Sequence, residues 1–112
     1  MSLFDDEPEE IVPFANEGLF DAYMMKVVHA NKNMSVPWFL MAAYAYYEED
    51  DNIVSDNAYD ALSKFIIFHW DQISHRHKHL IDVESLKNTS SIFDMTYPSM
   101  VKGAVKELQK WL

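Results

Sequence analysis

Apolar residues recur along this chain at three- and four-residue intervals in several runs, each bounded by polar punctuation. From Asn16, a suitable helix N-cap, Leu19, Phe20, Tyr23, Met24, Val27 and Val28 fall on one helical face, and Asn31-Lys32-Asn33 ends the run. Ser35 and Pro37 mark a second helix start. From Trp38 to Tyr47 that helix is apolar on every side, which predicts a central position in a bundle. The acidic stretch Glu48-Glu49-Asp50-Asp51-Asn52 breaks it and reads as an exposed loop. Ser55-Asp56 then opens a third helix, whose buried face is Tyr59, Leu62, Phe65, Ile66, His69 and Ile73 and whose end is expected near residue 74. A short helix near residues 80–87 and a polar loop, KNTSS, follow. Tyr97-Pro98 opens a last amphipathic helix that places Met100, Val101, Ala104, Val105, Leu108, Trp111 and Leu112 on one face.

These runs predict an all-α fold: a single small bundle of four to five helices around a central helix-loop-helix. Residues 15–112 form the one domain, and residues 1–14, with DDEPEE at their centre, read as an acidic tail too charged to fold alone. Leu3, Phe4, Ile11, Val12 and Phe14 flank those acids, so the tail also has the composition of a partner-binding peptide. Only 2 glycines and 4 prolines leave little material for the tight turns of a sandwich or barrel.

The absence of cysteine excludes disulfides, thiolate nucleophiles and thiolate metal sites. The start of the chain is acidic where a secretory signal is basic, and no apolar run is long enough to span a bilayer, which predicts a cytoplasmic protein without a membrane partner. A formal net charge of -9 disfavours direct nucleic-acid binding. That charge is uneven: residues 1–60 hold thirteen acids and two lysines, while residues 61–112 hold five acids, seven bases and four of the five histidines.

Candidate chemistry concentrates in Tyr44 to Leu62, YAYYEEDDNIVSDNAYDAL. On a helix-loop-helix, Tyr46 and Tyr47 end one helix while Asp56, Tyr59 and Asp60 begin the next, so five side chains converge on one end of the bundle. Aromatic faces, carboxylates and a helix N-terminus together suit a nicotinamide nucleotide. Its pyridinium stacks as a cation on a ring, its ribose diol donates to carboxylates, and its phosphate meets free backbone N–H groups.

The same residues carry a family resemblance. Tyr46-Tyr47, eight residues, Asp56, two residues, Tyr59-Asp60 resembles the signature of the small N-terminal helical domain of NAD-dependent DNA ligases, which closes over the nicotinamide mononucleotide half of NAD during self-adenylation. The resemblance covers about twenty-five residues, roughly a quarter of the chain. It implies nucleotide contacts from Tyr46, Tyr47, Asp56, Tyr59 and Asp60, with NAD or nicotinamide mononucleotide as ligand and no metal. It also departs from the family. The KxDG nucleophile motif is missing, so no catalytic residue is assigned and the chain is read as a non-enzyme, unable to seal DNA by itself. Ala58 replaces the usual glutamate, which removes the capping box to Ser55, and PWFLMAA replaces a charged helix start. A detached module of this kind would suit a virus or mobile element, supplying the module in trans or engaging a DNA ligase or another nucleic-acid enzyme as protein partner.

Other readings stand beside this one. Ser55 or Asp56 serves as an ordinary cap, Tyr59 as a wedge against Tyr46 and Asp60 as a solvated acid, leaving a protein-interaction or dimerisation module that keeps only the scaffold. His75, His77 and His79 in HRHKH have the spacing of a metal site, but Arg76 and Lys78 oppose a cation there. HRHKH and the lysines of the last helix also allow a nucleic-acid surface. His69 reads as a half-buried core residue with one hydrogen bond.

Overall fold

The computed structural model describes residues 20–89 and 95–111. The acidic tail, Asn16, Leu19, Leu112 and both serines of the KNTSS loop lie outside them. Among the described residues there are five α-helices and no strand: α1 Asp21–Ala30, α2 Ser35–Tyr47, α3 Asp56–His69, α4 Val83–Thr89 and α5 Ser99–Gln109. The all-α bundle expected from the apolar spacing is therefore observed.

Helix α2 is the axis. Val36, Trp38, Phe39, Leu40 and the run Ala42 to Ala45 are all buried, and the helix packs against both α3 and α5. A helix apolar all round has no face to give to water, so neighbours must cover it on every side. Leu62 and Ile66 of α3 and Val101 and Val105 of α5 supply part of that cover, and Met24 and Val28 of α1 extend the same core.

Polar contacts fix the connections. Asn31 accepts from the Asn33 N–H, Ser35 donates its hydroxyl to the Lys32 carbonyl, and Asn33 accepts from the Ser74 N–H at 2.8 Å, so the turn before α2 is tied to the segment after α3. After α2, Asp50 sits at φ 51, a left-handed conformation that aspartate tolerates, and the Asp51 N–H reaches back to the Ala45 carbonyl at 3.0 Å. Asp82 opens α4: its carboxylate accepts from the Glu84 and Ser85 N–H groups and the Ser85 hydroxyl, which holds its pKa below the usual value.

Three expectations change. Helix α3 stops at His69 and passes into a 3-10 turn at Trp70–Gln72, short of residue 74. The Lys78 ammonium donates to the Trp70 and Ile73 carbonyls, each at 2.8 Å, and lies 4.5 Å from the Trp70 ring centre, so a residue of HRHKH holds this chain reversal. Met100 and Trp111, placed by spacing on the buried face of the last helix, are exposed. Glu49 is not a free loop acid: it is half-buried, accepting from the Tyr44 hydroxyl at 3.0 Å and pairing with Lys106 of α5 at 3.1 Å.

Candidate functional site

The hairpin of α2 and α3 brings the five predicted residues to one end of the bundle. Tyr59 is half-buried. Its ring stacks on Phe39 with centres 5.3 Å apart at 15°, and lies nearly parallel to Tyr46 at 6.2 Å and 21°. The ladder Phe39, Tyr59, Tyr46 thus runs from the core outward. Tyr47 meets Tyr46 edge-on at 4.7 Å. Inserting a ring between Tyr46 and Tyr59 requires planes about 7 Å apart, twice a van der Waals contact of roughly 3.5 Å, so the present spacing does not admit one. The outer rung, Tyr46, is 44% exposed and is the ring surface this end offers to a ligand.

The carboxylates divide. Asp56 is exposed in the first turn of α3, and Asp60, one turn later, pairs with Lys64 at 3.0 Å in an exposed i, i+4 contact of little net strength. Lys64 is a countercharge at this acidic end, as Lys106 is for Glu49.

The start of α3 carries a contact that no local motif announces. Ser55 is the N-cap, its hydroxyl accepting from the Ala58 N–H at 3.1 Å. With alanine at residue 58 no capping-box carboxylate reaches back to the Ser55 N–H. Instead Asp21, thirty-four residues earlier and at the start of α1, accepts from the Ser55 N–H at 2.8 Å and from its hydroxyl at 2.6 Å. The glutamate's role in the capping box is taken by another helix, which also locks α1 to α3. A negative group already lies where a phosphate would approach this helix end, so a nucleotide here would rely on its ring and ribose.

Beside the ladder, the Tyr44, Glu49 and Lys106 contacts tie the loop to α5. The bond from Lys106, then that from Tyr44, holds the Glu49 carboxyl below its ordinary pKa. Glu49 in turn raises Lys106, and its hydrogen bond followed by burial raises Tyr44. Tyr97 packs edge-on against Tyr44 at 5.2 Å; its hydroxyl is buried without a hydrogen-bond partner among the described residues, and burial, with Glu48 and Tyr47 nearby, pushes its pKa up to about 12.

The histidines are spread over two places. His69 is half-buried against Phe65 and Phe68, as expected of a core residue, and its Nδ1 is buried without a hydrogen-bond partner among the described residues. His75 and His77 lie together, ring centres 5.6 Å apart, at the opposite end of the bundle from the tyrosines. Among the described residues, no three of His, Asp and Glu are gathered to hold a metal ion, and no helix is long and apolar enough to cross a membrane.

Sequence reasoning missed Asp21, Glu49 and Lys106. Asp21 and Lys106 act across the fold, and the one available signal was negative: the absent glutamate at residue 58 left the Ser55 N–H needing an acceptor. Compared with models of protein families, with curated proteins and with solved structures, the chain matches none.

Proposed function

We propose that the acidic end of this bundle binds the nicotinamide ring of a nicotinamide nucleotide, as the ligase resemblance implies, and that the chain does so without catalysing a reaction. The observation that carries the reading is the exposed Tyr46 ring, nearly parallel to Tyr59, which in turn stacks on Phe39. Held by Tyr59 alongside and Tyr47 edge-on, the Tyr46 ring keeps its orientation, so a pyridinium cation stacks on it with little ordering cost. Asp56 and Asp60 lie within one helical turn and supply acceptors for the ribose hydroxyls. One-faced stacking with solvent-exposed acceptors gives weak affinity, with Kd on the order of 1 mM. The role is that of an accessory module to a DNA ligase or similar nucleotide-using enzyme.

Two ligand comparisons test it. Titrating oxidised and reduced nicotinamide mononucleotide into the full chain, followed by tyrosine and tryptophan fluorescence, should give a saturable change with the oxidised form only, because reduction removes the ring's charge. Tyr46→Ala should abolish it. Because Asp21 sits at the helix start, nicotinamide riboside, which lacks the phosphate, should bind at least as well as the mononucleotide. Equal response to oxidised and reduced forms, or none to either, sinks the proposal.

A second reading draws on Phe68, 80% exposed, and Trp111, 75% exposed. Aromatic side chains this open suit a protein-interaction surface. A dimer in sedimentation that Phe68→Ser dissociates would favour this reading over the first.

A further inference from the structure

Between the first half of α2 and the first half of α5 lies a cavity of about 310 Å³, at the end of the bundle remote from the tyrosines. Leu40, Met34, Met41 and Met100 supply much of its wall, and His75 and His77 line it from the segment after α3. This volume is at the small end of the ligand-site range. It equals about ten waters at ~30 Å³ each, the bulk of an alkyl chain of about eight to ten carbons. Methionine walls, with three free torsions each, mould themselves to an unbranched chain.

The polar groups of the cavity and its rim offer donors. His75 Nδ1 accepts from the His77 N–H at 3.0 Å, which puts the proton of the neutral His75 ring on Nε2. Burial first, then His77 and Arg76, lowers the His75 pKa and favours that neutral ring. His77 Nε2 accepts from Arg76 Nε at 3.2 Å, which puts the proton of the neutral His77 ring on Nδ1. The Arg76 guanidinium also lies 3.8 Å from the Met100 sulfur, at the cavity's rim. Among the described residues Arg76 has no carboxylate partner in an ion pair, although the chain as a whole is strongly acidic. No lining residue carries a carboxylate.

From the apolar walls, the two donor imidazoles and the guanidinium beside them, which has no carboxylate partner among the described residues, we infer that this cavity binds a medium-chain aliphatic monocarboxylate, its chain against Leu40 and the three methionines and its carboxylate on Arg76. The guanidinium fork matches a carboxylate in two-point geometry. Hexanoate, octanoate and decanoate, each kept below micelle formation, are titrated into the full chain and followed through the methyl resonances of Met34, Met41 and Met100. Affinity should rise about fourfold for each added methylene. Decanol, of equal length and no charge, should bind at least tenfold more weakly than decanoate. Arg76→Gln should bring decanoate down to the decanol level while leaving decanol binding unchanged, which also reports an intact pocket. Absence of a saturable methionine shift with decanoate overturns the assignment, as does equal binding of decanol and decanoate. Movement of the same resonances in the ligand-free chain on changing Phe4 and Phe14 to alanine also overturns it, because the pocket would then belong to the chain's own N-terminal segment.

Discussion

At the acidic end of the bundle, Tyr59 stacks with both Phe39 and Tyr46, and Asp21, Glu49 and Asp60 each have a partner from Ser55, Lys106 or Lys64. At the basic end, a cavity stands open between α2 and α5, and among the described residues Arg76 has only neutral acceptors, an imidazole nitrogen and a thioether sulfur. Dense chemistry in the sequence therefore marks the end whose groups largely satisfy one another. The sparser end keeps both volume and unspent hydrogen-bonding capacity. Density of interesting residues measures how much they can do for each other as well as for a ligand, and only their spatial arrangement separates the two uses.

Adjacent residues on α2 test that contrast most forcefully, because Phe39 underlies the tyrosine ladder and Leu40 lines the cavity, both with no solvent exposure. Phe39→Ala should cost about 3–5 kcal/mol and Leu40→Ala about 2–5 kcal/mol in denaturant unfolding. Their functional effects should separate. Phe39→Ala frees Tyr59 and weakens the nicotinamide response, whereas Leu40→Ala enlarges the cavity and leaves that response intact. Loss of both ligand responses in both variants would show that the two ends are one cooperative unit.

The next effect concerns the contact between α1 and α3. Asp21→Ala removes two charge-assisted hydrogen bonds and leaves the partly buried Ser55 N–H without its acceptor, at a cost of about 2–3 kcal/mol. Asp21→Asn retains an acceptor for the N–H and should cost about half as much. Asparagine also removes the negative charge at the start of α3, so nicotinamide mononucleotide should gain on nicotinamide riboside in that variant. An unchanged ratio of the two affinities would mean that the phosphate never approaches this helix end.

The elements that periodicity identifies are those whose fate is decided locally. Helix α2 is apolar all round and Ser55 stands at the head of a polar-apolar transition, so both were readable from spacing. Three features were not. Lys78 ends the α3 region by reaching back eight residues to Trp70 and five to Ile73, in a tract whose residue types suggested a metal site or a nucleic-acid surface. Met100 fits the apolar face of α5 by spacing, yet it stands at the cavity, where packing against α2 is incomplete. The cavity itself draws on three separated segments, before and within α2, after α3 and within α5, and none of them carries a pattern that refers to the others. Of the candidate site, the approach of Tyr46 to Tyr59 across the hairpin was legible. The depth of each ring was not, since burial depends on Phe39, which belongs to the core pattern.

Tyr97 provides the smallest test and one of opposite sign. Its hydroxyl is buried beside Tyr44 without a hydrogen-bond partner, so the folded state carries a desolvation cost that the unfolded chain does not. Tyr97→Phe keeps the ring and its edge-on contact while removing that cost, and should stabilise the protein by about 1 kcal/mol at neutral pH. The pH dependence follows from the same burial. The pKa is about 12 in the folded chain against 10.0 for an ordinary tyrosine. Folding therefore favours the protonated phenol, and this part of the stability is complete below pH 10 and is lost as pH rises toward 12. Phenylalanine has no proton to lose, so the gap between variant and parent should widen across that window, as read by denaturant midpoints at successive pH values. A gap that stays constant from neutral pH to pH 12 would mean that the phenol reaches water in the folded state. The acidic end would then be as open beneath the loop as the basic end is at its cavity.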